Sequence, residues 1–117
     1  MNNFKELKVW QKAVEFSVLV YKSVEKFPEK EKFGIISQMT RSAVSIASNI
    51  AEGAGRNTNK DFGRFLAIAL GSSFEIETQL AIANKIGYLN DIAYEKLNNE
   101  LTEIQKMIYG LQKYNKI

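Results

Sequence analysis

Only one proline, Pro28, interrupts the 117 residues of this chain, and that scarcity is what most restricts its fold. Proline ends helices and is excluded from central strands. A chain with almost none is free to run in long helices with short joints. The apolar residues keep the matching rhythm. Leu7, Trp10, Val14, Ser17, Tyr21 and Val24 recur at three-and-four spacing, so a first helix is expected from about Phe4 to Lys26. Phe27-Pro28 should end it, because the residue before proline disfavours the helical region. Pro28-Glu29-Lys30-Glu31 then reads as a new helix start, with proline in the first turn and acids suiting the dipole. Phe33, Ile36, Met39, Ala43, Ile46 and Ile50 carry the second helix to Gly53-Ala54-Gly55.

Thr58 is suited to cap a third helix, with Asp61 three residues on in an approximate capping box. Phe62, Phe65, Leu66, Ala69, Ile76, Leu80 and Ala83 follow, all but Phe65 suiting the bundle core, and Gly87 ends the helix. Asn90 or Asp91 caps a fourth helix, which Leu97, Leu101, Ile104, Ile108 and Leu111 carry to near Tyr114. No strand pattern competes. Four helices with short joints fold most simply as an all-α, antiparallel up-down-up-down four-helix bundle, here a single domain over residues 1–117. The first two helices, of nearly equal length, should pack along their whole extent in a slim rod.

Composition removes most chemistry. The chain has no cysteine and no histidine. That excludes disulfides, thiolate and imidazole nucleophiles or bases, and the usual zinc sites. The glutamate-x-x-histidine pattern of di-iron bundles is impossible as well. No cofactor or metal is expected, and the reading is of a non-enzyme. The formal charge of +3 makes the placement of charge more informative than its total. The N-terminus lacks the apolar run of a signal peptide, and no segment reads as a membrane span, so a cytoplasmic location and no membrane partner are expected.

Residues 41–56, RSAVSIASNIAEGAGR, show two faces. Ala43, Ile46, Ala47 and Ile50 make an apolar seam. Gln38, Ser42, Ser45, Asn49, Glu52 and Arg56 make a small polar row beside it. Small side chains admit a close neighbour, and their polar atoms then need partners within protein. If the second and third helices run antiparallel about Asn57-Thr58-Asn59, Arg41 faces Glu75, Glu52 faces Arg64, and Ser45 lies beside Gly71. These four charges are expected as register-fixing interhelical ion pairs, in preference to an active site.

Several further features resemble one known family. They are Phe4-x-x-Leu7-x-Val9-Trp10, Phe27-Pro28-x-x-Glu31-x-Phe33-Gly34, and Arg41 with Ser48-Asn49-Ile50-Ala51-Glu52-Gly53 and Arg56. Phe65-Leu66-x-Ile68-Ala69-x-Gly71-Ser72, Glu75-x-Glu77-Thr78 and Gly87-Tyr88-Leu89 continue the match across nearly the whole chain. The family is the bacterial four-helix bundles encoded in intervening sequences of 23S ribosomal RNA genes, with the accessory variability determinants of diversity-generating retroelements among them. The resemblance implies a ring-like homopentamer and no established enzymatic activity. For the retroelement relatives it implies nucleic-acid binding and association with a reverse transcriptase.

Two surface features fit those expectations. Gly63, Ala67, Leu70, Phe74 and Ala81 form a second apolar row on the third helix, which a monomeric bundle does not need, so they are expected at an oligomer interface. Lys5, Lys8, Lys12, Lys22 and Lys26 fall within one arc of the first helix, interrupted by Glu15. They read first as a solvated face and second as a stripe able to follow a phosphate backbone of RNA or DNA. Trp10 and Tyr21 are expected as core or interface anchors.

Overall fold

In the computed structural model, which describes residues 3–115, the Asn3 side chain caps a single 3-10 turn over Phe4–Glu6. Leu7 is extended, and α1 follows over Lys8–Val24. The expected first helix therefore loses its first turn, because Leu7 leaves the helical region. A second 3-10 turn covers Glu29–Glu31, and Gly34 adopts φ −106° and ψ −119° before α2 begins at Ile35 and runs to Ala54. Pro28 thus starts a turn and not the helix proper. Phe33, expected in the core, is 91% exposed ahead of that glycine. α3 spans Asn59–Lys85 and α4 spans Asp91–Tyr114. At 1.5 Å per residue the first two helices are about 26 and 30 Å long, shorter than expected, and the last two about 40 and 36 Å.

The signals at the helix ends act as their chemistry dictates. The Thr58 hydroxyl accepts from the Asp61 amide at 3.1 Å, and Asn90 Oδ1 from the Ala93 amide at 2.8 Å. Each satisfies an amide that the helix leaves without a partner. Gly87 has φ +90°, a left-handed conformation that favours glycine. Around it the Tyr88 amide donates to the Ala83 carbonyl and the Gly87 amide to that of Asn84, the paired bonds of a Schellman ending.

The four helices form an all-α bundle measuring 43 × 23 × 20 Å. Among the described residues α1 packs on α2 and α4, α3 packs on the same two, and the backbones of the diagonal pairs stay apart. Contacts from Asn59 to Asn115 at one end, and from Asn84 to Asp91 at the other, run α4 antiparallel to α3. The core contains Met39, Ala43, Ile46 and Ile50 of α2, and Leu66, Ala69, Ile76 and Leu80 of α3. Leu97, Leu101, Ile104 and Ile108 of α4 complete those layers.

The contribution of α1 corrects the expected seam. Val9, Ala13, Phe16, Val20 and Val24 fill the core. Of the expected row only Val24 is buried; Trp10, Val14 and Ser17 are half-buried and Tyr21 is 52% exposed. α1 carries two adjacent apolar rows, and periodicity alone selects the one that contains the larger aromatics. At one end of the bundle, Phe27 packs on Tyr88 with ring centroids 5.4 Å apart, and the Tyr88 hydroxyl donates to Glu31 at 2.9 Å. That bond, then partial burial and the neighbouring carboxylate charge, raises the Tyr88 pKa.

α3 brings a further correction. By length and composition alone it is long and apolar enough to cross a membrane, and 33% of its most apolar stretch is buried within the bundle. Its apolar residues are dispersed among Gly, Ser and Thr, so no unbroken apolar run marks it in the sequence.

Candidate interaction surfaces

α2 and α3 share the most intimate contact in the molecule, and small residues make it. The Ser45 and Ser72 hydroxyls meet at 2.8 Å, and Asn49 Nδ2 donates to the Ser45 carbonyl at 2.8 Å and to its hydroxyl at 3.0 Å. At Gly53 an added Cβ would lie 2.7 Å from Phe65 Cβ and 3.0 Å from a Phe62 ring carbon. Of the small polar row of α2, Ser42 is buried and Ser45 and Asn49 are half-buried, with the partner of Ser45 lying one residue beyond the expected Gly71, while Gln38, Glu52 and Arg56 stay exposed. A second polar relay joins α3 to α4. Gln105 Nε2 donates to the fully buried Ser73 hydroxyl at 3.2 Å and to Glu77 at 2.9 Å, while Ser73 donates to the Leu70 carbonyl at 2.6 Å.

The expected ion pairs do not form. Glu52 pairs with Arg56 at 3.1 Å and Arg64 with Asp61 at 3.8 Å, each within its own helix. Both guanidinium groups lie over the Phe65 ring, Arg56 at 4.8 Å and Arg64 at 4.7 Å. This aromatic intruder and a carboxylate one turn away draw Arg64 from Glu52. Arg41 and Glu75 are both exposed and make no ion pair among the described residues. In water such a pair gains too little to offset ordering two long side chains. Register here is held by hydroxyls and by Gly53. Signals were present in the sequence: the serines at 45 and 72, and a glycine facing two phenylalanines.

The expected interface row on α3 divides. Gly63 is buried, Leu70 is half-buried against the core, Ala81 is half-buried, and Ala67 and Phe74 are exposed, Phe74 by 46%. Ser73 and Glu77 mark where α4 lies, so Ala67 and Phe74 sit on the α4 side of α3. A larger apolar surface, absent from the expectations as a unit, lies between α1 and α2. Trp10, Val14, Val18 and Tyr21 face Val44, Ala47, Ser48 and Ala51 across an open groove of about 390 Å³. Since α1 and α3 are diagonal, these two surfaces lie on opposite flanks.

The lysines also separate. Lys12 pairs with Glu100 of α4 at 3.7 Å. Lys5, Lys8, Lys22 and Lys26 are exposed and form no ion pair among the described residues. Lys22 and Lys26 line a cleft against α4 together with Lys96. Among the described residues no three carboxylates gather as a metal site.

A bundle with serine-bonded helices, two apolar flanks and this motif order has recognisable relatives. The model of the 23S rRNA-intervening sequence protein family matches residues 5–110. The chain belongs to that family. Its fold is similar to a crystal structure of a protein of unknown function from the S23 ribosomal protein family of Bacteroides thetaiotaomicron VPI-5482. The two share 33% identity at a TM-score of 0.80, covering 88% of this chain and 96% of the other. No curated protein matches it.

Proposed function

We propose that this family member is a non-enzymatic, self-assembling scaffold of the cytoplasm, with copies arranged head to tail in a closed ring of five. The carrying observation is the pair of unlike apolar surfaces on opposite flanks: the α1–α2 groove and the row around Ala67 and Phe74. Exposed apolar area of this kind marks a contact. Two different surfaces joined head to tail make a ring when the rotation closes and a filament when it does not. The count of five rests on the family resemblance. Light scattering on the purified chain should give a fixed mass of several subunits. Val18→Asp and Phe74→Asp should each yield a helical monomer, because a charge in a dry contact has no partner. Leu70 is a poorer probe, since it also packs on the core. A wild-type mass equal to one chain at all concentrations sinks the proposal. Membrane binding is the competing use of α3, and recovery with liposomes in a flotation assay would favour it.

A second reading is favoured by Lys5, Lys8, Lys22 and Lys26, which form no ion pair among the described residues, and by a family described as 23S rRNA-intervening sequence proteins. In it the ring binds RNA or DNA, and by resemblance a reverse transcriptase, through backbone charge. Affinity should fall steeply with salt and differ little between sequences. Charge reversal at Lys5 and Lys8 should weaken binding without changing the mass. Absence of any gel shift at low salt would end this reading.

A further inference from the structure

We infer that the cleft between the C-terminal end of α1 and the start of α4 is a binding site for a terminal phosphate monoester carried on a nucleoside. Three ammonium side chains line it: Lys22 and Lys26 from the α1 end, and Lys96 from α4. None of them forms an ion pair among the described residues, and no acidic side chain is among those lining the cleft. The carboxylates adjacent to these lysines in sequence, Glu25 and Glu95, are exposed and do not line the cleft, while Glu31 accepts from the Tyr88 hydroxyl and Asp91 from Asn84 Nδ2 at 2.8 Å. Three like charges around one concavity repel one another and focus a positive potential into it. A compact anion with two charges relieves that repulsion, and lysine binds phosphate as a point charge in this way. The α4 N-terminus is not the determinant, because Asn90 already occupies the Ala93 amide.

The remaining wall selects what carries the phosphate. Leu19, Leu89, Ala93, Leu97 and Tyr88 line the same space. A bare inorganic anion leaves that wall without contacts, whereas a base and sugar cover it. The volume of about 280 Å³ lies just below the range of ligand sites, which starts at about 300 Å³, and suits a ligand no larger than one nucleotide. The source is either a free mononucleotide or the 5′-phosphorylated end of a nucleic acid. The site goes beyond the scaffold reading and needs no ring. It shares Lys22 and Lys26 with binding along a phosphate backbone but differs from it in using Lys96 and in not needing Lys5 or Lys8, which lie outside the cleft.

Calorimetry and thermal melting of the full chain at low salt test it with AMP, inorganic phosphate and adenosine. Saturable binding is expected in the order AMP, then phosphate, with none for adenosine. Lys22→Gln, Lys26→Gln and Lys96→Gln should each weaken AMP by roughly tenfold or more, the worth of one hydrogen bond to a charged group. Without ligand the same changes should leave melting unchanged or slightly raised, since they remove repulsion. A structural role for these lysines would lower it. Lys106→Gln, outside the cleft, should bind as wild type. Competition by a 5′-phosphorylated RNA oligomer, and not by its 5′-hydroxyl twin, would identify the chain end as the source. Competition by neither would identify the free nucleotide. Equal competition by both, equal losses in Lys96→Gln and Lys106→Gln, or no saturable binding by AMP would each overturn the inference.

Discussion

α2 presents small residues on two flanks, and the two have opposite fates. Toward α3, Ser45, Asn49 and Gly53 meet Ser72 and Phe65, and the space closes to a 2.8 Å hydroxyl contact. Toward α1, Ala47, Ser48 and Ala51 meet Trp10, Val14 and Tyr21, and a groove of about 390 Å³ stays open. Small residues on one helix bring a neighbour close only when the neighbour's facing surface is also small or flat there. Against bulky side chains that stand off the helix axis, the same small residues leave a slot. The first arrangement spends its polar atoms inside the chain; the second leaves its apolar atoms lining an open groove.

The contrast can be broken by changing one flank at a time. Gly53→Val should have the largest effect, about 3 kcal/mol of lost stability in urea unfolding with the slope unchanged, because its Cβ meets Phe65 Cβ rather than a mobile side-chain tip. A loss below about 0.5 kcal/mol would mean that the α2–α3 seam yields easily, and the distinction would fail. Ser72→Ala should cost about 1 kcal/mol by removing one of the two hydrogen bonds of the Ser45 hydroxyl, which still accepts from Asn49. In a double-mutant cycle with Ser45→Ala the two losses should add to more than the double mutant shows.

A contact on neither flank gives a reference. Tyr88→Phe removes an end-of-bundle hydrogen bond and should lower the melting temperature slightly at neutral pH. Its sign with pH is fixed. The folded pKa of Tyr88 lies above its unfolded value of about 10, so the contribution is whole below that value and is lost as pH rises through the folded one. Wild type and Tyr88→Phe should therefore converge in alkaline melting curves; parallel curves would deny the Glu31 bond. The smallest change is expected on the open flank. Ser48→Leu should alter the subunit's stability by no more than about 0.5 kcal/mol, yet it fills the groove and should lower the assembled mass. Equal damage from Ser48→Leu and Gly53→Val would erase the difference between the flanks.

Much of the fold is legible in the residues. Gly87, Asn90 and Thr58 mark helix ends through chemistry confined to one turn, and each acts where it is expected. The core rows of α3 and α4 follow from spacing, since α4 has one dominant apolar stripe and the bulkiest aliphatic row of α3 lies inward. The start of α2 is misread because Pro28 and two acids suit a 3-10 turn as well as a helix. The core row of α1 is misread because Val9-Ala13-Phe16-Val20 and Trp10-Val14-Ser17-Tyr21 are both credible. The ion pairs fail for a related reason: opposite charges at matching levels say nothing of a phenylalanine between them.

What the sequence alone determines here is local and subtractive. Helix number and the helix ends at Thr58, Gly87 and Asn90 follow from backbone preferences within a turn, and the absence of histidine and cysteine excludes whole classes of chemistry whatever the fold. What only the tertiary structure decides is which of two apolar rows turns inward, which arginine a carboxylate meets, and which lysines share a cleft. Lys96 lies some seventy residues along the chain from Lys22 and Lys26, and nothing local relates it to them. Their convergence depends on the azimuth at which α1 packs on α4, and that angle is set by the fit of all four helices around one core.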